Sequence, residues 1–244
     1  SLYLKLTSMS VLYPLKFTPA YFEKIWGGRH VKTILNQDFG DLVNCGEAWL
    51  LSGLEGQNSI VCNGDFAGDE LNDLIETFMG DLVGDEVFNK YGERFPLLIK
   101  IIDPLDNLSI QVHPDDEYAL EYEDEYGKSE MWYVIECTDD SYIYCGFKQD
   151  VTMEEVKAHI ADDSLLDLLN KIKVEKGKSY FIPAGTIHAI GKGNLICEVQ
   201  QNSNSTYRVH DYNRRDKYGN LRRLDINKAL DVMDLHKYEG TDVS

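Results

Sequence analysis

Gln111 and His113 stand two apart in Asn107-Leu108-Ser109-Ile110-Gln111-Val112-His113, a run that reads as a β-strand. Alternate side chains of a strand share a face, so an amide oxygen and an imidazole are set to point the same way. Pro114 closes the run just behind them. A chain presenting this pair is held to a β framework at that point. Beyond an acidic, helix-like insertion comes Glu130, which can bring a carboxylate to the same place. Far downstream, Phe181-Ile182-Pro183-Ala184-Gly185-Thr186-Ile187-His188 offers a second imidazole at the end of another strand. Two histidines, a carboxylate and an amide oxygen make a ligand set for a divalent metal.

The remaining segments fit such a framework. Leu12 to Ile25 alternates aromatic, apolar and proline residues and reads as an extended stretch before the turn Trp26-Gly27-Gly28. Gly46 to Gly53 reads as a strand with Glu47, Trp49 and Leu51 on one face, and Asp69 to Phe78 has apolar residues at helical spacing. Phe95 to Asp103 is a nearly continuous apolar run of strand length. A buried lone lysine is costly, so Lys100 within it is expected to reach a cleft or the surface. Pro114 to Glu125 reads as a solvated acidic helix, and Met131–Glu136 and Ser141–Cys145 as a strand pair joined by Asp139-Asp140. Thr152-Met153-Glu154-Glu155 is a capping box ahead of Val156 and Ile160, and Asp163-Ser164 before Leu165-Leu166 reads as the start of a second helix. Strand patterns return at Ser179–Ile182, Asn194–Gln200 and Ser205–His210, and a helix is expected from Asp225 to Asp234. Strands dominate, with helices inserted between them. No internal repeat interrupts the pattern.

The totals narrow the function. With 244 residues, 43% of them hydrophobic, the chain can build a real core as one large domain or two small ones. A formal charge of −18 and a pI near 4.6 argue against nucleic-acid binding, because phosphate backbones require a basic surface. No apolar run approaches membrane-spanning length and the N-terminus carries no convincing signal peptide, so a cytoplasmic protein without membrane partners is expected. Cys45, Cys62, Cys137, Cys145 and Cys197 form no CxxC pair and read as scattered, reduced thiols.

Gly177-x5-Pro183-x-Gly185-x2-His188 matches the second sequence motif of the cupins up to its last position, where Lys192 stands in place of a common asparagine. The first cupin motif is altered: Gln111 stands where the first histidine of His-x-His is usual, and Glu130 lies further on than usual. Gln-x-His-Pro from Gln111, Gly-Lys-Ser-Glu-Met-Trp-Tyr from Gly127, Pro-Ala-Gly-Thr-Ile-His from Pro183 and Glu-Val-Gln-Gln-Asn-Ser-Asn-Ser-Thr-Tyr-Arg from Glu198 follow in that order. Together they resemble the type I mannose-6-phosphate isomerases, in their short bacterial form. The likeness runs from near Leu12 to about Leu235 and takes in Trp26-Gly27-Gly28 and Gly46-Glu47-Ala48-Trp49. It implies a mainly β fold, a cupin-type (jelly-roll) β-barrel with inserted helices, as a catalytic domain over residues 12–235. Residues 1–11 then read as a tag or N-terminal extension. Residues 236–244 read as a C-terminal tail where short-form members usually continue into a further β-rich region.

The resemblance further implies one Zn2+ per chain, held by Gln111, His113, Glu130 and His188, and a small-molecule sugar phosphate as partner; it leaves the oligomeric state open. The chemistry agrees, since zinc accepts nitrogen and oxygen donors, has no redox activity and polarises a substrate oxygen. The implied reaction interconverts mannose 6-phosphate and fructose 6-phosphate through an enediol. Arg208 matches the family's arginine, where a guanidinium can stabilise an enediolate or hold phosphate. Lys100, Ser109 and Lys128 match positions near the family's active site. Glu198 is the first choice for moving the proton between C1 and C2, with Lys128 and zinc-bound water as competitors. Glu47 is expected at the site or anchoring the N-terminal strand. His30, His159 and His236 read as structural, His210 as lying on Arg208's strand face, and Arg214, Arg215, Arg222 and Arg223 as surface charge. Two rivals stand beside this reading. An Fe(II) cupin oxygenase also uses two histidines and a carboxylate, but Gln111 and the Lys128/Arg208 pair speak against it. The other is a non-catalytic sugar-phosphate-binding module.

Overall fold

Alternation along each strand separates a face turned between two sheets from a face turned away from them. In the computed structural model, which describes residues 11–240, this alternation builds two antiparallel sheets packed against each other. Most of the expected N-terminal extension and the last residues of the expected tail lie outside the described residues. The first sheet contains β2 (Ala20–Phe22), β3 (Glu47–Ser52), β5 (Leu97–Ile102), β7 (Glu130–Cys137), β10 (Ser179–Ile182) and β12 (Asn194–Gln201), in the order β10-β7-β12-β5-β3-β2. The second contains β6 (Ile110–Val112), β8 (Tyr142–Phe147), β9 (Leu169–Lys173), β11 (His188–Ile190) and β13 (Tyr207–His210), in the order β13-β6-β11-β8-β9. A separate pair joins β1 (Phe17–Thr18) to β4 (Ile60–Val61). The expected mainly β architecture with inserted helices is what forms.

Three layers of apolar contact hold it. Between the sheets, Ile102, Trp132, Val134 and Ile196 of the first meet Ile143, Cys145 and Ile190 of the second. Outside the first sheet, Ala48, Ile101 and Leu195 pack with Val31, Phe39 and Cys45; Val31 lies in the short helix α1 (His30–Thr33). Outside the second, Ile110, Val112, Ala189 and Val209 lie under α6 (Met153–Ala161) and α7 (Ile226–Val232) through Val156, Ala229 and Leu230. Full burial of each valine, leucine, isoleucine or phenylalanine among them contributes about 1.5–3 kcal/mol. Helices α2 (Leu71–Phe78), α3 (Gly80–Val83) and α4 (Asp85–Tyr91) fill the long β4–β5 connection, with Leu74 packed on Val61 and Phe66. The acidic helix α5 (Asp116–Tyr122) is capped by Asp115, whose side chain accepts from the Tyr118 N–H at 2.9 Å. Among the described residues no helix is long and apolar enough to cross a membrane.

Several expectations are corrected. β7 and β8 are consecutive but do not pair: β7 lies between β10 and β12, and β8 between β11 and β9. With both edges of each strand taken, residues 138–141 carry the chain from one sheet to the other, and the Thr138 N–H donates to Ser141 Oγ at 2.9 Å. Asp163-Ser164 opens only one 3-10 turn, Leu165–Leu168, because Leu169 onward is drawn into pairing with β8. Leu51 does not share a face with Glu47 and Trp49. Trp49 pairs with Lys100 but Leu51 with Ile99, so an irregularity at Leu50 reverses the alternation. The capping box forms as expected: Thr152 Oγ1 accepts from the Glu155 N–H at 3.1 Å, and Glu155 Oε2 from the Thr152 N–H at 2.9 Å. Thr152→Ala is expected to lower stability by about 1 kcal/mol, read as a lower urea midpoint. An unchanged midpoint would show that the box does not hold α6.

Candidate metal centre and catalytic cavity

Towards one end of the sandwich the inward positions change from apolar to polar. His188 opens β11 and pairs with Gln111 in β6, and His113 follows β6 by one residue. The expectation that His188 ends a strand is corrected: β10 stops at Ile182, and residues 183–187 cross to the other sheet before His188 begins β11. Glu130 is the first residue of β7 in the facing sheet. His113, Glu130 and His188, all buried, bring one ligand atom each to within 4.8 Å of one another.

The orientation of both rings is set by the main chain. His113 Nδ1 lies 3.1 Å from the Ser205 carbonyl oxygen, and His188 Nδ1 lies 2.8 Å from that of Thr186. A carbonyl only accepts, so each ring carries its proton on Nδ1 and turns the Nε2 lone pair inward. His113 Nε2 is 2.9 Å from Glu130 Oε1 but out of line with it, and is buried without a hydrogen-bond partner. Burial, aided by the Lys128 charge, pulls His113 down to about 3, and burial lowers His188 too. Burial works to raise Glu130, yet its surroundings lower it well below the ordinary carboxylate range, with the Lys128 ammonium 3.9 Å away supplying the positive charge. Two neutral nitrogen donors beside a buried anion fit a small divalent cation. Gln111 donates through Nε2 to the Ser109 carbonyl at 3.2 Å and Ser109 Oγ at 3.3 Å, which leaves its Oε1 without a hydrogen bond among the described residues.

A cavity of about 340 Å³ adjoins this cluster, a size in the range of small-molecule sites. Every candidate residue other than the two histidines lines it: Glu47, Lys100, Ser109, Gln111, Lys128, Glu130, Glu198 and Arg208. Lys100 does reach a cleft. Its Nζ sits 2.9 Å from Glu47 Oε1 and 3.8 Å from Glu198 Oε2. Lys128 donates to Thr206 Oγ1 at 3.0 Å and lies 3.9 Å from Glu130 Oε1. Burial and the nearby Lys100 charge lower Lys128, whereas for Lys100 the pull of Glu47 and Glu198 exceeds the effect of burial and raises it. Two buried carboxyls are driven in opposite directions. Burial, reinforced by Glu130, pushes Glu198 up to about 8; for Glu47 burial is overcome by Lys100 and Lys24, which bring it to about 2. Arg208 donates through Nε to Ser109 Oγ at 3.3 Å and through Nη1 to the Arg223 carbonyl at 3.1 Å. Among the described residues it makes no ion pair with a carboxylate. Burial lowers it, and the Arg222 charge lowers it further.

Three contributors were not legible as site residues. Trp132 donates its one indole N–H to both Glu130 Oε2 at 3.0 Å and Glu198 Oε1 at 2.9 Å. Its place two residues after Glu130 on the same strand face was the available signal. Lys24 pairs with Glu47 at 2.8 Å from a segment with no regular spacing. Arg222, read as surface charge, lines the cavity, and both it and Arg214 bond Asp211; that expectation is corrected. His210 does not share Arg208's face, because the register shifts between them and pairs His210 with Ile110; its Nδ1 points to Asp163 at 3.4 Å. His30, His159 and His236 have local partners in Asp103, Ser164 and Asp234.

Residues 14–150 match the family described as phosphomannose isomerase type I, catalytic domain. The chain is 41% identical over 229 residues to the mannose-6-phosphate isomerase ManA of Bacillus subtilis (strain 168), which covers 91% of this chain and 68% of that protein. It is 40% identical over 224 residues to the mannose-6-phosphate isomerase of Streptococcus mutans, covering 92% and 69%. The crystal structure of the mannose 6-phosphate isomerase from Bacillus subtilis superposes with a TM-score of 0.84 at 37% identity, over 96% of this chain and 71% of that one.

The Glu47 pairing gives a test in pH. Its folded value of about 2 lies below the ordinary 4.5, so its contribution is complete above pH 4.5 and is lost as pH falls from there towards 2. The full loss is on the order of 3 kcal/mol. Comparing urea midpoints at pH 7 and pH 3, wild type is expected to lose more stability than Glu47→Gln. Equal losses would show that the Lys24–Glu47–Lys100 pairing does not carry this acid sensitivity.

Proposed function

The chain belongs to the type I phosphomannose isomerase family, and we propose that it interconverts mannose 6-phosphate and fructose 6-phosphate in the cavity beside His113, Glu130 and His188, with one zinc ion. The observation that carries this reading is the pair of inward, neutral Nε2 lone pairs facing an ionised carboxylate at the wall of a cavity lined with proton-transfer groups and cations. Gln111, His113, Glu130 and His188 would hold the zinc, which when bound polarises a sugar oxygen as a Lewis acid. Residues 12–235 would act as the catalytic domain. Action in the cytoplasm accords with its free cysteines.

Conversion of aldose to ketose through an enediol removes a proton from one of C1 and C2 and returns one to the other. Glu198 is the group assigned to this transfer. A carboxyl raised to about 8 can both take and give a proton near neutral pH. The Trp132 N–H fixes one of its oxygens and Lys100 faces the other, which holds the carboxyl in place. Lys128, lowered by burial, supplies or accepts the proton that must move between the sugar's O1 and O2. Arg208, unmatched by a carboxylate, stabilises the negative charge that develops on the sugar. Lys100 and Ser109 orient the sugar along the cavity wall.

Metal-free protein given zinc is expected to form fructose 6-phosphate from mannose 6-phosphate in a coupled assay, and without zinc to be inactive. Arg208→Ala should lower kcat by about 10²–10³. Folded, zinc-loaded protein without turnover would sink the isomerase reading. Glu198→Gln should stop exchange of the C2 hydrogen with solvent, followed by NMR in deuterium oxide, while retaining zinc. Exchange at the wild-type rate would place the base elsewhere, with Lys128 next to be tested.

A further inference from the structure

Asp211 gathers two arginines at the edge of the cavity. Its carboxylate, 6% exposed, accepts from Arg222 Nε at 2.7 Å and Nη2 at 2.6 Å, and from Arg214 Nη2 at 2.5 Å. Arg214 turns its other amino group to the Asn107 carbonyl and does not line the cavity; Arg222 does. Arg214 also lies 3.5 Å from Asp106 Oδ2, so two carboxylates serve the two guanidiniums, and Arg222 is held through its fork on Asp211. The fork on Asp211 engages Nε and Nη2 of Arg222 and leaves Nη1 without a hydrogen-bond partner among the described residues.

The pairing of the cavity's cations differs from end to end. Beside the metal ligands the lysines are matched: Lys100 and Lys24 by Glu47, and Lys128 by Glu130. At the other end Arg208 and Arg222 line the same cavity, Arg208 has no carboxylate partner among the described residues, and burial and the Arg222 charge lower Arg208. Like charges held together in a half-buried place repel, and an anion between or beside them relieves the cost. Arg208 is the deeper of the two in strand register, paired across the ladder with Gln111. Arg222, on the loop after β13, is held by Asp211 in a fixed fork with a free amino group, a form suited to phosphate oxygens.

We propose that Arg222 is a substrate-binding residue that takes the phosphate of the sugar phosphate, with Asp211 as its positioning residue. This rests on the isomerase reading for the sugar but not for the anion. It orients the substrate, with C6 at the arginine end and C1 and C2 at the end where Glu130 and Glu198 meet. It also divides the labour of the two arginines. Arg222 acts on binding, whereas Arg208 is left for charge that appears during the reaction.

The test uses the zinc-loaded full chain as wild type, Arg222→Gln, Arg222→Lys and Arg208→Ala, with inorganic phosphate titrated calorimetrically beside steady-state kinetics. Loss of one charge-assisted contact is expected to weaken phosphate binding by Arg222→Gln about 10- to 100-fold. KM for mannose 6-phosphate should rise by the same factor while kcat stays within about threefold. Arg208→Ala should show the reverse split. Arg222→Lys keeps a cation beside Asp211, so it retains the fold if Arg222→Gln does not, and it should lie between the two. Phosphate binding unchanged in both Arg222 variants overturns the proposal, as does a fall in kcat at constant KM. Wild type that binds phosphate through Arg222 but does not turn over mannose 6-phosphate would sink the isomerase reading and leave this one standing.

Discussion

Three carboxylates, Glu47, Glu130 and Glu198, are buried between two sheets, and the rest of the site follows from having to compensate them. An isolated ionised carboxylate in such a place costs several kcal/mol or more, so each must meet a cation or a donor. The compensation comes from strand register. Trp49 pairs with Lys100, Lys100 with Glu198, Glu198 with Trp132 and Trp132 with Tyr180, one row running across β3, β5, β12, β7 and β10. That row sets a lysine beside the Glu198 carboxyl and an indole N–H on the carboxyl's other side. A slip of one residue in any of these strands would turn its member to the opposite face and leave a charge unmatched. The polar row and the apolar layer beyond it, Ile102, Ile196 and Val134, sit on the same strand faces. The core therefore fixes the register that the site depends on.

What could be read from the sequence was what neighbours along the chain decide. Gln111 and His113 two apart, Glu130 at the head of a strand run, and the glycine and proline of the turn before His188 are local signals, and the cluster of His113, Glu130 and His188 forms where they point. Thr152 and Glu155 close their box for the same reason. What could not be read was decided by partners distant in the chain. Asp139-Asp140 looks like a hairpin turn, yet whether β7 and β8 pair depends on β10, β12, β11 and β9, which the turn does not encode. Irregularities at Leu50 and Val209 reverse a strand's alternation without any glycine or proline to announce them, so Leu51 and His210 fell on the wrong face. Arg222 sits in a loop without periodicity, and its meaning comes from Asp211 eleven positions before it.

The chain's overall charge of −18 and the work of its cavity pull in opposite directions. A phosphate dianion approaching an acidic protein is repelled at long range, and beyond about 8 Å salt screens most of that repulsion. What remains is local. Within the cavity Lys100, Lys128 and Arg222 face Glu47, Glu130 and Asp211, so the unpaired charge among the described residues is that of Arg208, and the surrounding low-dielectric walls strengthen its field.

Both candidate zinc-binding imidazoles are aimed by main-chain carbonyls, those of Ser205 and Thr186, and not by side chains. Any amino acid supplies a carbonyl, so the identity of the residues at 186 and 205 is free to drift in a lineage without disturbing the tautomer of either ring. Loop length has no such freedom. Adding or removing one residue between Ile182 and His188 would withdraw the carbonyl and re-aim the lone pair together, so the candidate metal centre depends on a count of residues more than on a spelling.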